Sequence, residues 1–442
     1  MKPFKWYLVA VFLSAVCTAY SQEEKYFQKP FKVQDNGKPL DIANGKDRST
    51  YDWGHAGPYY ADVDGDHKRD LIVGGFSGRF RLYRNTGTEQ TPQFTGFGFI
   101  MGGDTVARVP IYCCIGSSPL LTDLDGDRIP DLLSGSYDPG YFYWFKGLGQ
   151  GKFGKRQILL DEKGSPVATH ALSKDHSIAF GTTTAPVDWD NDGDDDLLLG
   201  SFRGQVFIRK NIGSADKPLF SATQEEIRIG NANAIPEQHA AVNVADWDGD
   251  GLWDILIGSD AGSVYLLPNS GKKGTPAFNS RQMIIGPGDG EDQWVETGSE
   301  PKRGIRAQIH VVDFNGDGKP DILLGDFSTT ISLKKGLSKE EIKKATSLID
   351  EYKALEKKTT AKWKEIQKKK ISYDAYKRSA NDHPMVKEFV SLQKKKMEKR
   401  DALSAWLEPR SGMPRKAYTE KGMVDMDTDR DEHGFVWVFL RK

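Results

Sequence analysis

Residues Asp246–Gly258 read DWDGDGLWDILIG. Acidic side chains stand at positions 1, 3, 5 and 9, glycines at 4 and 6, and an apolar triplet runs into a closing glycine. The same pattern begins at Asp62 (DVDGDHKRDLIVG), Asp123 (DLDGDRIPDLLSG), Asp188 (DWDNDGDDDLLLG) and Asp313 (DFNGDGKPDILLG). Successive starts lie 61, 65, 58 and 67 residues apart. Position 2 is apolar in every copy: Val63, Leu124, Trp189, Trp247 and Phe314. Repetition at this period marks a chain built from one supersecondary unit used five times.

Each copy reads as a tight acidic loop followed by a buried strand. Carboxylates ~4 Å apart at an effective dielectric near 20 repel by about 4 kcal/mol, and a divalent cation removes that cost. Oxygen ligands at positions 1, 3, 5 and 9, with a carbonyl from position 7, suit calcium, up to five ions in all. The candidate ligands are Asp62, Asp64, Asp66 and Asp70; Asp123, Asp125, Asp127 and Asp131; Asp188, Asp190, Asp192 and Asp196; Asp246, Asp248, Asp250 and Asp254; and Asp313, Asn315, Asp317 and Asp321. An EF-hand is excluded: position 12 is Val73, Ser134, Leu199, Ile257 or Leu324, never Glu, and a strand rather than a helix follows. His67 and Arg128 stand where glycine is wanted at position 6, and Asn315 replaces Asp at position 3. Loops one, two and five are therefore expected to bind more weakly than loops three and four.

A second strand pattern follows each closing glycine, as in Phe80–Tyr83, Tyr141–Trp144, Val206–Ile208 and Val264–Leu267. A turn then leads to TPQF (91–94), KPLF (217–220) or TPAF (275–278). With the strand before each acidic loop this makes four strands in about 60 residues, the unit of a propeller blade. The repeat resembles the FG-GAP/VCBS family of calcium-binding β-propellers, similar to those of integrin α-chain heads. The resemblance covers roughly residues 26 to 335 and the C-terminus. It implies an all-β propeller and bound calcium, but not one function, because that family includes adhesins, receptors, enzyme accessory domains and lyases.

After Gly325 the expected third and fourth strands are missing, and candidates for them lie at the termini. His433–Leu440 fits the third strand, and Gln28–Phe31 (QKPF) fits the TPQF position. Five blades closed by both termini follow; a sixth would require the acidic run 425–431 to be a degenerate unit. The propeller is assigned to 22–328, a mainly helical Lys-rich insertion to 329–432 and the closing strand to 433–442. Inside the insertion, Ser338 and Glu341 form a capping box, and Pro384 opens a second helix. The whole chain carries a formal net charge of −1, and residues 338–401 hold 19 Lys and Arg against 11 Asp and Glu (19 − 11 = +8), so a basic segment sits on an acidic body of −1 − 8 = −9. That balance argues against nucleic acid as a partner.

Residues 1–21 read as a cleaved signal peptide, with Lys2 and Lys5 before an apolar stretch too short to span a bilayer. Val16 before Cys17 speaks against a lipid anchor. The mature chain is expected to be an exported monomer, secreted or periplasmic, with attachment at the outer surface as the alternative, and with no membrane span.

Seven residues before each first Asp lie His55, Gly116, Gly181, His239 and Arg306. If these open the innermost strands, two imidazoles and a guanidinium converge at one mouth of the channel, able to bind a carboxylate or supply a base. The adjacent Cys113 and Cys114 and the loop residue Trp294 complete the candidate ligand site. The leading expectation is a binding protein whose partner is a glycan or surface protein. The alternative is a polysaccharide lyase or hydrolase using His55, His239 and Arg306.

Overall fold

Each acidic motif becomes the turn between the first and second strands of one antiparallel sheet, and five such sheets form the propeller. The computed structural model describes residues 23–43, 52–111, 116–137, 139–169, 181–296, 299–369, 383–409, 415–419, 422–426 and 431–442. Blade one is Gly57–Ala61, Asp70–Gly74, Phe80–Tyr83 and Gly98–Phe99. Blade two is Ser118–Thr122, Asp131–Gly135, Phe142–Gly147 and Phe153–Ile158, extended by the hairpin Met101–Gly102 and Thr105–Val106. Blade three is Gly181–Val187, Asp196–Ser201, Val206–Arg209 and Glu225–Ile229, and blade four is Ala241–Ala245, Asp254–Gly258, Val264–Leu267 and Gln282–Ile285.

Blade five is assembled from both ends of the chain. Ile305–Val312 and Asp321–Ile331 pair as a hairpin; Val436–Phe439 adds as third strand with Ile322 opposite Phe439; and Phe31–Lys32 completes the sheet opposite Val438 and Trp437. The five-bladed ring expected from the repeats is thus formed, with no sixth unit among the described sheets. One detail of the expected closure is corrected. Phe94, Phe220 and Phe278 each bridge to Asn85, Asn211 and Asn269, and the equivalent bridge in blade five joins Phe27 to Arg441. Phe27 is buried, whereas Phe31 is exposed on the outer strand. The resemblance of Gln28–Phe31 (QKPF) to TPQF, KPLF and TPAF pointed four residues too late, because core packing rather than the local Pro decides which Phe occupies that place.

That packing explains the apolar residue at position 2 of every loop. Phe27 packs on Trp247, with ring centroids 6.1 Å apart, and Phe278 stacks on Trp189 at 5.9 Å. Val63 shares a core cluster with Phe153, Leu124 with Phe220, and Phe314 with Phe94. Each pairing joins position 2 of one blade to the aromatic of the next, so one sequence pattern seals all five seams.

The closing glycines have an equally local cause. A Cβ on Gly74 would lie 2.1 Å from the Ser117 carbonyl oxygen, on Gly258 2.3 Å from that of Ala307, and on Gly325 2.0 Å from that of Ala56. In each case the oxygen belongs to the inner strand, or its lead-in, of the adjacent blade. Backbone hydrogen bonds cross the same seams: Ala56 N to Asp326 O (3.1 Å), Ser117 N to Gly75 O (3.0 Å), Ala240 N to Ser201 O (2.9 Å) and Ala307 N to Ser259 O (2.9 Å). Only a residue without Cβ allows the blades to approach so closely.

Residues 294–300 and 330–431 form a second compact unit. Its helices run Lys339–Lys368 and Pro384–Leu403, and pack as a pair. The capping box is made: Ser338 N and Oγ donate to Glu341 Oε2 at 2.8 and 2.7 Å. Pro384 opens the second helix, with His383 Nδ1 accepting from Met385 N. The unit also holds a two-stranded hairpin, Arg415–Thr419 and Gly422–Met426, which helical periodicity did not announce. Among the described residues, no helix is long and apolar enough to cross a membrane.

The seam geometry yields a test. Gly258→Ala should destabilise the protein by about 1–3 kcal/mol, the range for overpacked sites. Gly98→Ala, where a Cβ meets nothing within 4 Å, should change stability by less than about 0.5 kcal/mol. Urea midpoints of the two variants measure the difference.

Candidate functional site

The five acidic loops share one backbone. In loops one, four and five the first Asp accepts from the amides at positions 4 and 6, as Asp62 does from Gly65 (2.8 Å) and His67 (3.0 Å), and Asp246 from Gly249 (2.9 Å) and Gly251 (3.0 Å). In loop two Asp123 accepts from Arg128 N (2.8 Å), and in loop three Asp188 accepts from Asp192 N (3.1 Å). Positions 4 and 6 lie in the left-handed region in every loop. His67 (φ 67°) and Arg128 (φ 65°) adopt it without being glycine, at a cost of roughly 1–2 kcal/mol each.

This folding gathers carboxylates. In loops one to four, an oxygen from each of positions 1, 3 and 5 lies within 4.8 Å of the others. In loop five Asn315 Nδ2 donates instead to Asp317 Oδ2 at 3.2 Å, so the amide relieves one repulsion. Buried Oδ1 atoms of Asp123, Asp125 and Asp194 have no hydrogen-bond partner. Clustered, hard, unpartnered oxygens fit a calcium ion; the residues that would hold it are those at positions 1, 3 and 5.

The ninth-position carboxylates are placed differently. Asp70, Asp131, Asp196, Asp254 and Asp321 are buried at the start of each second strand. Their Oδ1 atoms accept from the backbone amides of Asn85, Gly147, Asn211, Asn269 and Arg441 at 2.5–2.8 Å. In blades two, four and five Oδ2 accepts from the position-2 amide at 3.0 Å. Each ninth Asp thus ties the acidic loop to the end of the third strand. Burial pushes these carboxyls up, Asp131 to about 6 and Asp196 to about 7.

At the opposite ends of the inner strands the structure brings His55, His239 and Arg306 together. Arg306 Nη1 lies 3.0 Å from His55 Nε2, and Arg306 Nε lies 3.5 Å from Asp260 Oδ1. The His55 ring stacks on Phe327 at 4.1 Å. His55 Nδ1 and both ring nitrogens of His239 are buried without a hydrogen-bond partner. All three residues have left-handed backbones, φ 60°, 63° and 60°. Each stands immediately before the residue whose amide crosses the seam, and the seam forces the conformation. Blades two and three have Gly116 and Gly181 at this position.

Burial drives both imidazoles toward the neutral form, and the Arg306 charge adds to the effect; His239 falls to about 3. His310, whose Nδ1 accepts from Tyr60 N at 2.9 Å, also falls to about 3, by burial and then by Arg69. Trp294 belongs to the helical unit, where its ring packs on Tyr352 at 5.6 Å and under the Arg400 guanidinium. Cys113 and Cys114, and the signal segment, lie outside the described residues.

The His239 shift carries a pH signature. Its folded pKa lies below the unfolded value of about 6.5, so the stability it contributes is complete above about pH 6.5 and is lost as the pH falls toward 3. Asp131 and Asp196, shifted upward, act in the opposite sense over the same range. The stability difference between wild type and His239→Gln isolates the imidazole. It should shrink by up to about 1.4 kcal/mol per pH unit between pH 6 and 4; a difference independent of pH would contradict the assignment.

The FG-GAP-like repeat family matches residues 188–257 and 246–324. The chain is 26% identical over 183 residues to integrin alpha-4 of Xenopus laevis, an alignment covering 38% of this chain and 16% of that protein. The chain thus spans less than a fifth of the length of that relative. Among solved structures, BBS1N in complex with ARL6DN overlaps at a TM-score of 0.33 and 10% identity, covering 67% of this chain and 81% of that one. YCF48 from Cyanidioschyzon merolae overlaps at 0.25 and 11% identity, covering 58% and 62%. The chain thus carries FG-GAP-like repeats over residues 188–324 and is similar over part of its length to an integrin alpha chain.

Proposed function

We propose that this propeller is an exported, calcium-stabilised binding protein that takes the carboxylate of an acidic glycan at the mouth formed by His55, His239 and Arg306. The observation that supports the reading is the Arg306 guanidinium, whose side chain is 21% exposed and lies 3.0 Å from His55 Nε2 at the edge of two buried imidazoles. Both imidazoles are driven toward the neutral form by burial, so the charge of the group is carried by Arg306. A carboxylate at its exposed edge offsets that charge with a charge-assisted hydrogen bond.

The lyase or hydrolase alternative fits the geometry less well. A base must reach the proton it removes within about 3 Å. His55 is 3% exposed and His239 0%, so the polymer's sugar ring has no approach to either imidazole. The Arg306 side chain is the accessible edge of the group, 21% exposed. A cation meeting the ligand in front of closed imidazoles is an arrangement for recognition.

The mature protein should bind uronate-bearing oligosaccharides on a glycan array and leave neutral ones. Arg306→Ala should weaken these hits by at least about tenfold, the size of one charge-assisted hydrogen bond, while Lys302→Ala leaves them unchanged. Hits restricted to neutral sugars, or retained in full by Arg306→Ala, would refute the site. Capture of a surface protein with no glycan hit would move the partner class to protein.

A further inference from the structure

Three of the five acidic loops receive a cation from their own blade. Arg84 contacts Asp64 and lies 2.8 Å from Asp70; Lys146 contacts Asp125 and lies 2.6 Å from Asp127; Lys210 contacts Asp190 and lies 3.8 Å from Asp196. These three residues occupy one structural position. Each directly precedes the residue whose amide binds the ninth Asp of its loop, namely Asn85, Gly147 and Asn211. In blade four that position is Pro268 and in blade five Leu440, before Asn269 and Arg441. Among the described residues, no ammonium or guanidinium lies within 4.0 Å of the carboxylates of Asp246, Asp248, Asp250, Asp313 or Asp317. The repeat therefore comes in two kinds, one whose carboxylates carry a counter-ion from their own blade and one whose carboxylates do not, with Arg441 donating to the Trp247 carbonyl of loop four and Arg69 to the Asp313 carbonyl of loop five.

We infer that Arg84, Lys146 and Lys210 are tethered counter-ions that compete with calcium in loops one to three, so that the calcium dependence of the propeller resides chiefly in loops four and five. The tether engages two carboxylates in each loop, position 3 always among them. Exposed pairs of this kind are individually weak, yet two displaced together weaken calcium binding by about tenfold. Extracellular calcium modules bind near 10⁻⁴–10⁻³ M. A tenfold shift therefore moves a loop from half filled to mostly unfilled at about millimolar calcium. Loop three also carries Asp194 and Asp195, while Lys210 pairs with Asp190 and Asp196. Its affinity accordingly falls between the two kinds.

This ordering differs from the one that ligand identity alone suggests. By residue type loop five, with Asn315, ranks below loop three; by counter-ion it ranks above. The inference rests on the calcium reading of the loops and is independent of the ligand proposed at the channel mouth.

Hydrogen–deuterium exchange of the mature chain across a calcium titration resolves a midpoint for each loop. In wild type, residues 246–254 and 313–321 should become protected at calcium concentrations about tenfold or more below those that protect 62–70 and 123–131. Lys146→Met should lower the midpoint of loop two by about tenfold and leave loops four and five unchanged. Arg128→Gly, which relieves the backbone strain of the same loop without touching the tether, separates the two causes: it should leave the loop-two midpoint above those of loops four and five. Equal midpoints in all five wild-type loops, or a loop-two midpoint unmoved by Lys146→Met, would overturn the inference. Should the methionine variant fail to fold, Lys210→Met read at loop three gives the same decision. Calcium leaving every loop unaltered would overturn the metal reading itself, a result distinguishable from the others.

Discussion

Carboxylate crowding governs this molecule. Four loops each hold three acidic oxygens within 4.8 Å, and the hydrogen bonds that shape the loop leave the oxygens no freedom to separate. In loops one, four and five the first Asp is fixed by amides at positions 4 and 6, and in every loop the ninth is fixed by the far end of the third strand. The loop therefore accumulates negative charge as a consequence of folding, and a positive partner must offset it. Two kinds of partner are within reach: a divalent ion, or a lysine or arginine delivered by the third strand. The blades differ in which of them they provide.

The rest of the ring follows from that turn. With the loop fixed, position 2 points its apolar side chain at the aromatic of the next blade, and the closing glycine lets the next inner strand approach. Those seams hold the residues before them in left-handed conformations. In blades one, four and five the residues so held are His55, His239 and Arg306. The group of His55, His239 and Arg306 is thus a by-product of blade contact, at positions that these three blades fill with polar side chains and blades two and three fill with glycine.

Much of this was legible in the amino-acid sequence, because the acidic repeat is strictly local: ligand spacing, turn glycines and the buried strand all fall within thirteen residues. Closure by the two termini was legible because the missing strands left a gap that only Val436–Phe439 and the N-terminus could fill. The choice of Phe27 over Phe31 was not, since a Pro before an aromatic is a local cue and the deciding contacts, to Trp247 and Phe439, lie more than 200 residues away. Arg84, Lys146 and Lys210 escaped notice for the same reason. They stand more than twenty residues after the first Asp of their loops, outside the motif, and only strand register shows that they face it. The convergence of His55, His239 and Arg306 was inferred from their common offset to the repeat; their burial and strain required the seam.

The account requires that loops lacking a tethered cation gain stability from calcium. At about 10 mM calcium and a Kd of about 1 mM, each such loop contributes about 1.4 kcal/mol. Thermal unfolding of the mature chain in 10 mM calcium against excess EGTA measures this directly. The melting temperature should fall by several degrees on chelation, and an unchanged melting curve would contradict the claim that cations hold these carboxylates together.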